Sequence, residues 1–290
     1  MSSSIRYILT HPGSAHKDDF LACSVLADVH QVAIVRREPT EQELDAPDVC
    51  VVDVGGRHEP ELNNFDHHQF DRDSEPACAI TLVLKHLGVY ESARQFCEWL
   101  EPAEWFDTRG PVATAGWLGV EREVLARLNS PIDVTLLRRF ALSDKLEPGE
   151  PLWQIMQYVG EDMLSYVRSL KDRMRVISRT VQFWEIPESG GLMAVYLPRT
   201  DAMPKDPSMG LARYVEQQFS EKGEVAAMIY PDRRGEGYGL SRYNDHPKLE
   251  FTLIDGEADV HFAHARGFVA KTSATSTDRL MELLKAALLK

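Results

Sequence analysis

Val49-Cys50-Val51-Val52-Asp53-Val54-Gly55-Gly56 is the stretch that decides the fold. Four apolar residues in a row, closed by an aspartate and a glycine turn, predict a strand buried on both faces, as in parallel sheets covered by helices. Working outward, Ile5-Arg6-Tyr7-Ile8-Leu9 is another β-rich run, and it ends in Thr10-His11-Pro12-Gly13-Ser14, a loop by composition. Between Lys17 and His30, apolar residues fall at 20, 21, 25, 26 and 29, the spacing of one helical face. Val32-Ala33-Ile34-Val35 is the next strand. Alternation of this kind predicts an α/β fold with a mainly parallel sheet.

After Pro76 the pattern becomes helical, with helices expected over 76–87, 91–107, 120–129 and 132–145. Residues 151–179 read as one long helix with basic residues near its end. Strands are expected at 181–186, 192–197, 225–230, 238–243 and 259–264, with helices at 209–221 and 274–289. The expected organisation is an N-terminal domain over 1–150, a connecting helix over 151–180 and a smaller α/β domain over 181–290, with a cleft between the two domains.

The chain has 290 residues, enough for about two domains. With 43% apolar and 27% charged residues it has the composition of a folded globular protein rather than a disordered one. No apolar run approaches the roughly 20 residues that cross a bilayer, and Met1-Ser2-Ser3-Ser4 lacks the plan of a signal peptide. Cys23, Cys50, Cys78 and Cys97 form no CxxC pair and read as reduced thiols of a cytoplasmic protein. A net charge of −13 argues against a broad basic surface for nucleic acid. That charge is uneven: residues 1–150 hold 14 basic and 26 acidic side chains, against 18 and 19 in the remainder. Seven of the ten histidines also lie in the first half.

Histidines and carboxylates gather at strand ends and loops in four places. These are His11, His16 and Asp18 after the first strand, Asp53 after Val49–Val52, Asp66-His67-His68, and Asp144 in Ser143-Asp144-Lys145-Leu146. Ligands of open α/β sheets bind at the carboxyl ends of strands. Each residue also has an ordinary explanation: a loop histidine, a helix-dipole carboxylate, a turn aspartate or a surface charge. The four clusters together fit ligands for two divalent ions, with Asp53 as a bridge. Mixed imidazole and carboxylate donors suit Mn²⁺, Co²⁺, Fe²⁺ or Zn²⁺ better than Mg²⁺ alone. A pair of ions about 4 Å apart activates water for in-line attack at phosphorus.

HPGSAHKDD, VVDVGG, FDHHQ and SDKLEPG, beginning at His11, Val51, Phe65 and Ser143, resemble in order the four motifs of the DHH phosphoesterase superfamily. Within it, the runs beginning at Thr10 and Val51 are most similar to the MYG1 (UPF0160) family, and Val260–Thr272 looks like that family's C-terminal motif. The resemblance implies one metal held by His11, His16 and Asp53, and a second held by Asp18, Asp53, His67 and Asp144. It implies that His68 contacts the scissile phosphate or tunes a metal ligand from behind it, and that Asp66 orients its neighbours. His16 stands where the superfamily's first motif usually has an aspartate. With three anionic ligands and two divalent ions the site would carry about +1.

The resemblance further implies a two-metal hydrolase of phosphodiester bonds, a nuclease or short-oligonucleotide phosphodiesterase with 3′–5′ exoribonuclease activity. A pyrophosphatase- or polyphosphatase-like substrate is the rival, and a non-catalytic metal- or nucleotide-binding protein of the same fold is a third reading. The expected partners are a phosphate-containing small molecule or short RNA or DNA, with no membrane, and a homodimer is open. The second domain would supply a phosphate clamp through His264 and Arg266, with Gly267 giving the backbone close approach. Arg242 and Lys271 are further candidates, while Arg233, Arg234 and Lys248 read as plain surface. The linear sequence displays no RNA-binding module and no basic–aromatic platform.

Overall fold

The structure is a computed structural model and describes residues 4–200, 206–218 and 224–289. The chain divides into two compact units, Met1–Arg168 and Ser169–Lys290, so the division falls inside the long helix. Among the described residues no helix is long and apolar enough to cross a membrane.

The first unit is built on a six-stranded sheet ordered β4-β5-β3-β1-β2-β6. The central strands are β1 (Tyr7–Thr10), β2 (Ala33–Arg36) and β3 (Val49–Val52), and β1 pairs with both others in parallel. The short β4 (His58–Glu59) and β5 (Asn64–Phe65) extend one edge, and β6 (Lys145–Leu146) closes the other. The β3–β5 pair is parallel, whereas β4–β5 and β2–β6 are antiparallel, so the sheet is mixed with a parallel centre.

Burial explains the continuous apolar run of β3. Cys50 and Val52 join Ile8 in a core on one face, while Val49 and Val51 join Leu9 and Leu44 on the other. The first core is covered by α1 (Lys17–His30) and α3 (Ala79–His86). Between them in sequence lies the single-turn α2 (Glu41–Leu44). The helix expected over 91–107 is two helices, α4 (Tyr90–Phe96) and α5 (Leu100–Leu118), and α5 kinks at Gly110-Pro111, where Gly110 has φ of 76°. Next come α6 (Arg122–Arg127) and α7 (Pro131–Ala141).

Helix α8 (Pro151–Thr180) begins in the first unit and ends in the second. Trp153, Met156, Met163, Leu164 and Val167 join the core against α1. Gly160 lets α8 lie against α1, since a Cβ there would collide with the Ser24 carbonyl. Ile177, near the helix end, packs into a core of the second unit.

The second unit is a sheet ordered β11-β12-β10-β9-β8-β7. Its strands are β7 (Gln182–Glu185), β8 (Met193–Tyr196), β9 (Val225–Pro231), β10 (Tyr238–Arg242), β11 (Val260–Ala263) and β12 (Val269–Thr272). Among the described residues only the β8–β9 pair of this sheet is parallel. Helix α9 (Leu211–Gln218) is shorter than the expected 209–221, whose last three positions lie outside the described residues. Helix α10 (Thr277–Ala286) packs with Phe251 and Ile254 against the sheet.

Candidate metal centre

In the register of the first sheet Thr10 lies beside Val52. The next residue on each strand is therefore His11 or Asp53, at adjoining carboxyl ends. The chain runs from β1 to β2 on one side and then crosses to β3 on the other side of β1, and such a reversal of strand order is where open sheets form a ligand crevice. Asp53 is buried and has φ of 59°, a left-handed conformation uncommon for a non-glycine residue. Its backbone N–H bonds the Phe65 carbonyl at 3.0 Å. Strained backbone of this kind persists where the surroundings fix it, often at functional sites.

Most of the expected ligands come together here. Three sets of ligand atoms each lie within 4.8 Å of one another: His11, His16 and Asp53; Asp53, His67 and His68; and His16, Asp18 and Asp107. Asp53 belongs to two sets, as a bridging carboxylate would. His67 Nε2 lies 3.1 Å from Asp53 Oδ1, 3.0 Å from Asp107 Oδ2 and 4.0 Å from Asp18 Oδ2.

The chemistry of these atoms fits a cation. Asp18 Oδ1, Asp53 Oδ1 and His67 Nε2 are buried without a hydrogen-bond partner among the described residues. Asp53 Oδ1 and His67 Nε2 are close enough to bond but not aligned to do so, as when two lone pairs point at a shared third position. Buried groups left unpaired cost free energy, about 1–3 kcal/mol each and more when charged. A divalent cation would supply the missing partner. Within this cluster burial raises the Asp18 carboxyl well above its usual range, with the charges of Asp53, Asp107 and Asp19 adding to the shift. Contacts with Asp19 and Asp53 lift His11 to about 10. Burial pulls His67 down, but Asp107 and Asp53 bring it up to about 10. Burial pushes Asp53 upward, yet the neighbouring His11 and His67 imidazoles bring it down to about 2. The carboxylates thus favour positive charge at the imidazole positions, which is the field a metal ion needs.

Asp107 is the residue that sequence reasoning missed. It lies on α5, one turn after Glu104, which is buried and accepts bonds from Thr81 Oγ1 (2.8 Å), Tyr90 OH (2.9 Å) and Arg94 Nη1 (2.7 Å). These bonds anchor that half of α5 to α3 and α4. Helical i, i+3 spacing puts Asp107 on the same side as Glu104. That spacing, ahead of the helix-breaking Gly110-Pro111, is the signal the sequence contained.

Asp144 is not brought into the cluster. It follows α7 and is exposed, and its backbone carbonyl accepts from Arg36 N at 2.8 Å as the chain enters the edge strand β6. Asp107 thus stands in the cluster where Asp144 was expected, one carboxylate in place of another.

Two further buried groups shape the first motif. Asp19 Oδ1 accepts from the backbone N–H of His16 at 2.8 Å and of Phe20 at 2.7 Å. Its Oδ2 is unpaired, 3.2 Å from His11 Nε2. Arg36 donates to the carbonyls of Phe140 (2.9 Å), Ser14 (3.0 Å) and Gly13 (3.3 Å), and its guanidinium lies over the Phe140 ring. It ties the loop between His11 and His16 to the end of α7. Asp19 restores beside His11 a negative charge of the sort that His16 withholds.

Asp66 is buried and grips the adjoining turn. Its Oδ2 accepts from Gly56 N at 2.6 Å, and its Oδ1 accepts from His68 N at 3.0 Å and lies 2.8 Å from His68 Nδ1. The His68 ring is 63% exposed, on the open side of the cluster. In the second unit, His264, Arg266 and Gly267 form the β11–β12 turn, with Gly267 at φ of 65°. Arg242 and Lys271 are engaged in ion pairs, with Glu250 and Asp232, each at 2.8 Å. Arg233, Arg234 and Lys248 are exposed.

An α/β unit with a shared His/Asp cluster at its strand ends is the class defined by fold and geometry. Residues 7–88 match an uncharacterised protein family, UPF0160, whose model is named for the MYG1 exonuclease. This bears out the resemblance of the motifs from His11 to His68. A bovine (Bos taurus) MYG1 exonuclease is 44% identical over 64 residues, 21% of this chain and 16% of the relative. The MYG1 protein of Chlamydia trachomatis serovar D is 40% identical over 67 residues, 22% of either chain. The chain thus aligns with about one sixth of the bovine relative's length. Among solved structures, it is similar to a DHH-domain protein described as belonging to a family of ribosomal proteins. There the TM-score is 0.33 at 14% identity, covering 98% of this chain and 85% of that one. It is also similar to RecJ in complex with Mn²⁺ from Thermus thermophilus, with a TM-score of 0.26 at 11% identity over 97% of this chain and 51% of RecJ. At these scores the likeness carries no argument of its own.

Proposed function

We propose that the first unit is the catalytic centre of a metal-dependent phosphoesterase that hydrolyses phosphodiester bonds in short single-stranded nucleic acid. The observation that carries this reading is the convergence of unpaired, buried Asp18, Asp53 and His67 atoms at the ends of β1 and β3. His11, His16 and Asp53 would hold one divalent ion, and Asp18, Asp53, His67 and Asp107 a second, with Mn²⁺ the best match to mixed donors. Ions bound there supply a water of lowered pKa and neutralise charge on the phosphate.

The protein's own contribution is positional. Asp53 is locked by its left-handed backbone and by Phe65, so its two oxygens face different partners. Asp66 holds His68 by its Nδ1, which leaves Nε2 on the open side to face the scissile phosphate. His264 and Arg266, on the turn that Gly267 permits, are assigned to substrate binding on the second unit. The name of the MYG1 relatives supports an exonuclease, and 3′–5′ action on RNA is the specific form we propose.

A hydrolysis panel with Mn²⁺ tests the reading: short RNA, short DNA, cyclic dinucleotides, pyrophosphate, polyphosphate and bis-p-nitrophenyl phosphate. Release of mononucleotides from the 3′ end of RNA, abolished by chelation, is the expected result. Hydrolysis of pyrophosphate alone would replace this substrate with the mineral one. A chain that takes up no metal from saturating Mn²⁺ would end the enzymatic reading.

A further inference from the structure

The aromatic platform that the linear sequence fails to display is assembled by the β11–β12 hairpin. Phe262 and Phe268 are 43% and 38% exposed. Both touch the His264 ring: its centroid lies 4.1 Å from that of Phe268 and 6.4 Å from that of Phe262, the second contact being edge-on. Exposed apolar rings are common singly, but two of them packed on one imidazole at a turn form a patch.

The turn is built rigidly. His264 N donates to Val269 O at 2.9 Å and Gly267 N to His264 O at 2.7 Å. Arg266 N donates to His264 Nδ1 at 3.1 Å. That bond fixes the ring and assigns the proton of the neutral imidazole to Nε2, which stays available as a donor. Gly267 lies against the Glu250 carboxylate, where a Cβ would collide. Glu250 is itself held by Arg242 at 2.8 Å and by Thr252 at 2.7 Å. Among the described residues the Arg266 guanidinium makes no ion pair, unlike those of Arg242 and Arg279 in the same unit.

Partly exposed aromatic rings, a fixed N–H donor and an uncommitted guanidinium on one rigid turn match the parts of a nucleotide: a flat base and a phosphate. We propose that the β11–β12 hairpin binds a base of single-stranded nucleic acid on Phe262 and Phe268, with Arg266 taking an adjoining phosphate. Choosing nucleic acid as the ligand rests on the phosphodiesterase reading above, which this site deepens. Pyrophosphate and polyphosphate have no π-face and would leave both rings unused. Stacking on aromatic side chains tolerates any base. With one arginine engaged, binding weakens only gently with salt, as about one counterion is released.

The test is fluorescence anisotropy with a labelled oligoadenylate hexamer and the full chain in chelator, where no cleavage occurs. The hexamer is expected to bind, and F262L/F268L, which keeps apolar bulk but removes both rings, to bind about 5- to 100-fold more weakly. An abasic strand of equal length is expected to bind wild type no better than oligoadenylate binds the double variant. Undiminished affinity in the double variant overturns the proposal, as does an abasic strand that binds as tightly as oligoadenylate, or a wild-type chain that binds neither. The abasic comparison needs no variant, so it decides even where the substitutions disturb folding. Failure of the metal reading shows separately, as a chain that binds oligoadenylate but takes up no Mn²⁺.

Discussion

Asp232, at the end of β9 in the second unit, and Asp53, at the end of β3 in the first, are equally buried, at 4% and 2% exposure. Their surroundings differ. Asp232 Oδ1 accepts from Lys271 Nζ at 2.8 Å and from Arg234 N at 3.3 Å, with His261 beyond at 3.7 Å. Asp53 has no lysine or arginine paired with it among the described residues; its close neighbours are His11, His67 and His68. Asp18 and Asp107 crowd the same place. The first arrangement is complete as it stands, because a resident cation offsets the desolvated charge. The second has only histidines, and no permanently charged lysine or arginine, facing its carboxylates, and its unpaired atoms lie beside one another. A buried carboxylate is therefore informative only together with its partner: a lysine marks architecture, and a ring of unpaired donors marks a site that takes a cation.

The largest break in that comparison comes from Asp53→Asn, since asparagine tolerates the left-handed backbone while removing the charge. Loss of more than about 100-fold in Mn²⁺ affinity is expected, above the 10- to 100-fold typical of residues that only support a ligand. Isothermal titration against the wild type measures it, and wild-type affinity in the variant would remove Asp53 from the bridging position. Next in size is a contrast within the aspartates. Asp107→Asn should weaken metal binding at least about tenfold, whereas Asp144→Asn should change it little, as surface substitutions usually do. If the two exchange behaviours, the cluster seen around His67 is not the one that works.

That contrast also marks where the sequence stopped being legible. β1, β2 and β3 were readable because each is a buried apolar run closed by loop residues, and α1 because its apolar spacing is helical. His11, His16, Asp18, Asp53, His67 and Asp66 were readable because they sit at the ends of those strands or in one dense run. Asp107 was not, because what delivers it is the Glu104 network with Thr81, Tyr90 and Arg94, a set of contacts between three helices. Asp144 reads as a ligand from its loop context and from the likeness of Ser143-Asp144-Lys145-Leu146 to a fourth motif, whereas in the structure its side chain is exposed. β4, β5 and β6 have two residues each, too few for a period to register. β12 lies in the gap left between an expected strand and an expected helix. The Phe262–His264–Phe268 cluster needs a hairpin to bring its ends together.

A smaller effect sharpens the comparison on the side of the first unit. Asp19→Asn keeps an oxygen for the His16 and Phe20 N–H groups but removes the charge facing His11. A loss of about 10-fold in affinity is expected for the ion at His11 and His16, with the ion at His67 retained. Metal analysis of the dialysed variant would read this as one ion per chain, against the two expected for the wild type. Two ions held with unchanged affinity would show that Asp19 only caps the helix start.

The smallest effect lies in the second unit, where removing a charge should cost stability rather than ligand. Burial pushes the Asp232 carboxyl up, but its bonds to Lys271 and to the Arg234 backbone outweigh this and hold it below the usual carboxylate range. A depressed folded-state pKa stabilises the fold above the unfolded value of about 4, and that stabilisation is lost as pH falls through the folded value. Asp232→Asn should therefore cost about 1–2 kcal/mol at pH 7 and progressively less as pH drops below about 4. Hydrogen exchange in peptides from β9, β10 and β12, followed across pH, isolates the second unit. Asp18 predicts the opposite sign: its carboxyl is raised by burial and by neighbouring carboxylates, so its ionised form destabilises the metal-free fold above the unfolded pKa. In chelator, Asp18→Asn should raise the melting temperature of the first unit while Asp232→Asn lowers that of the second. Equal signs for the two substitutions would show that both carboxylates serve the fold alike, and the distinction between a finished ion pair and an open cation site would fall.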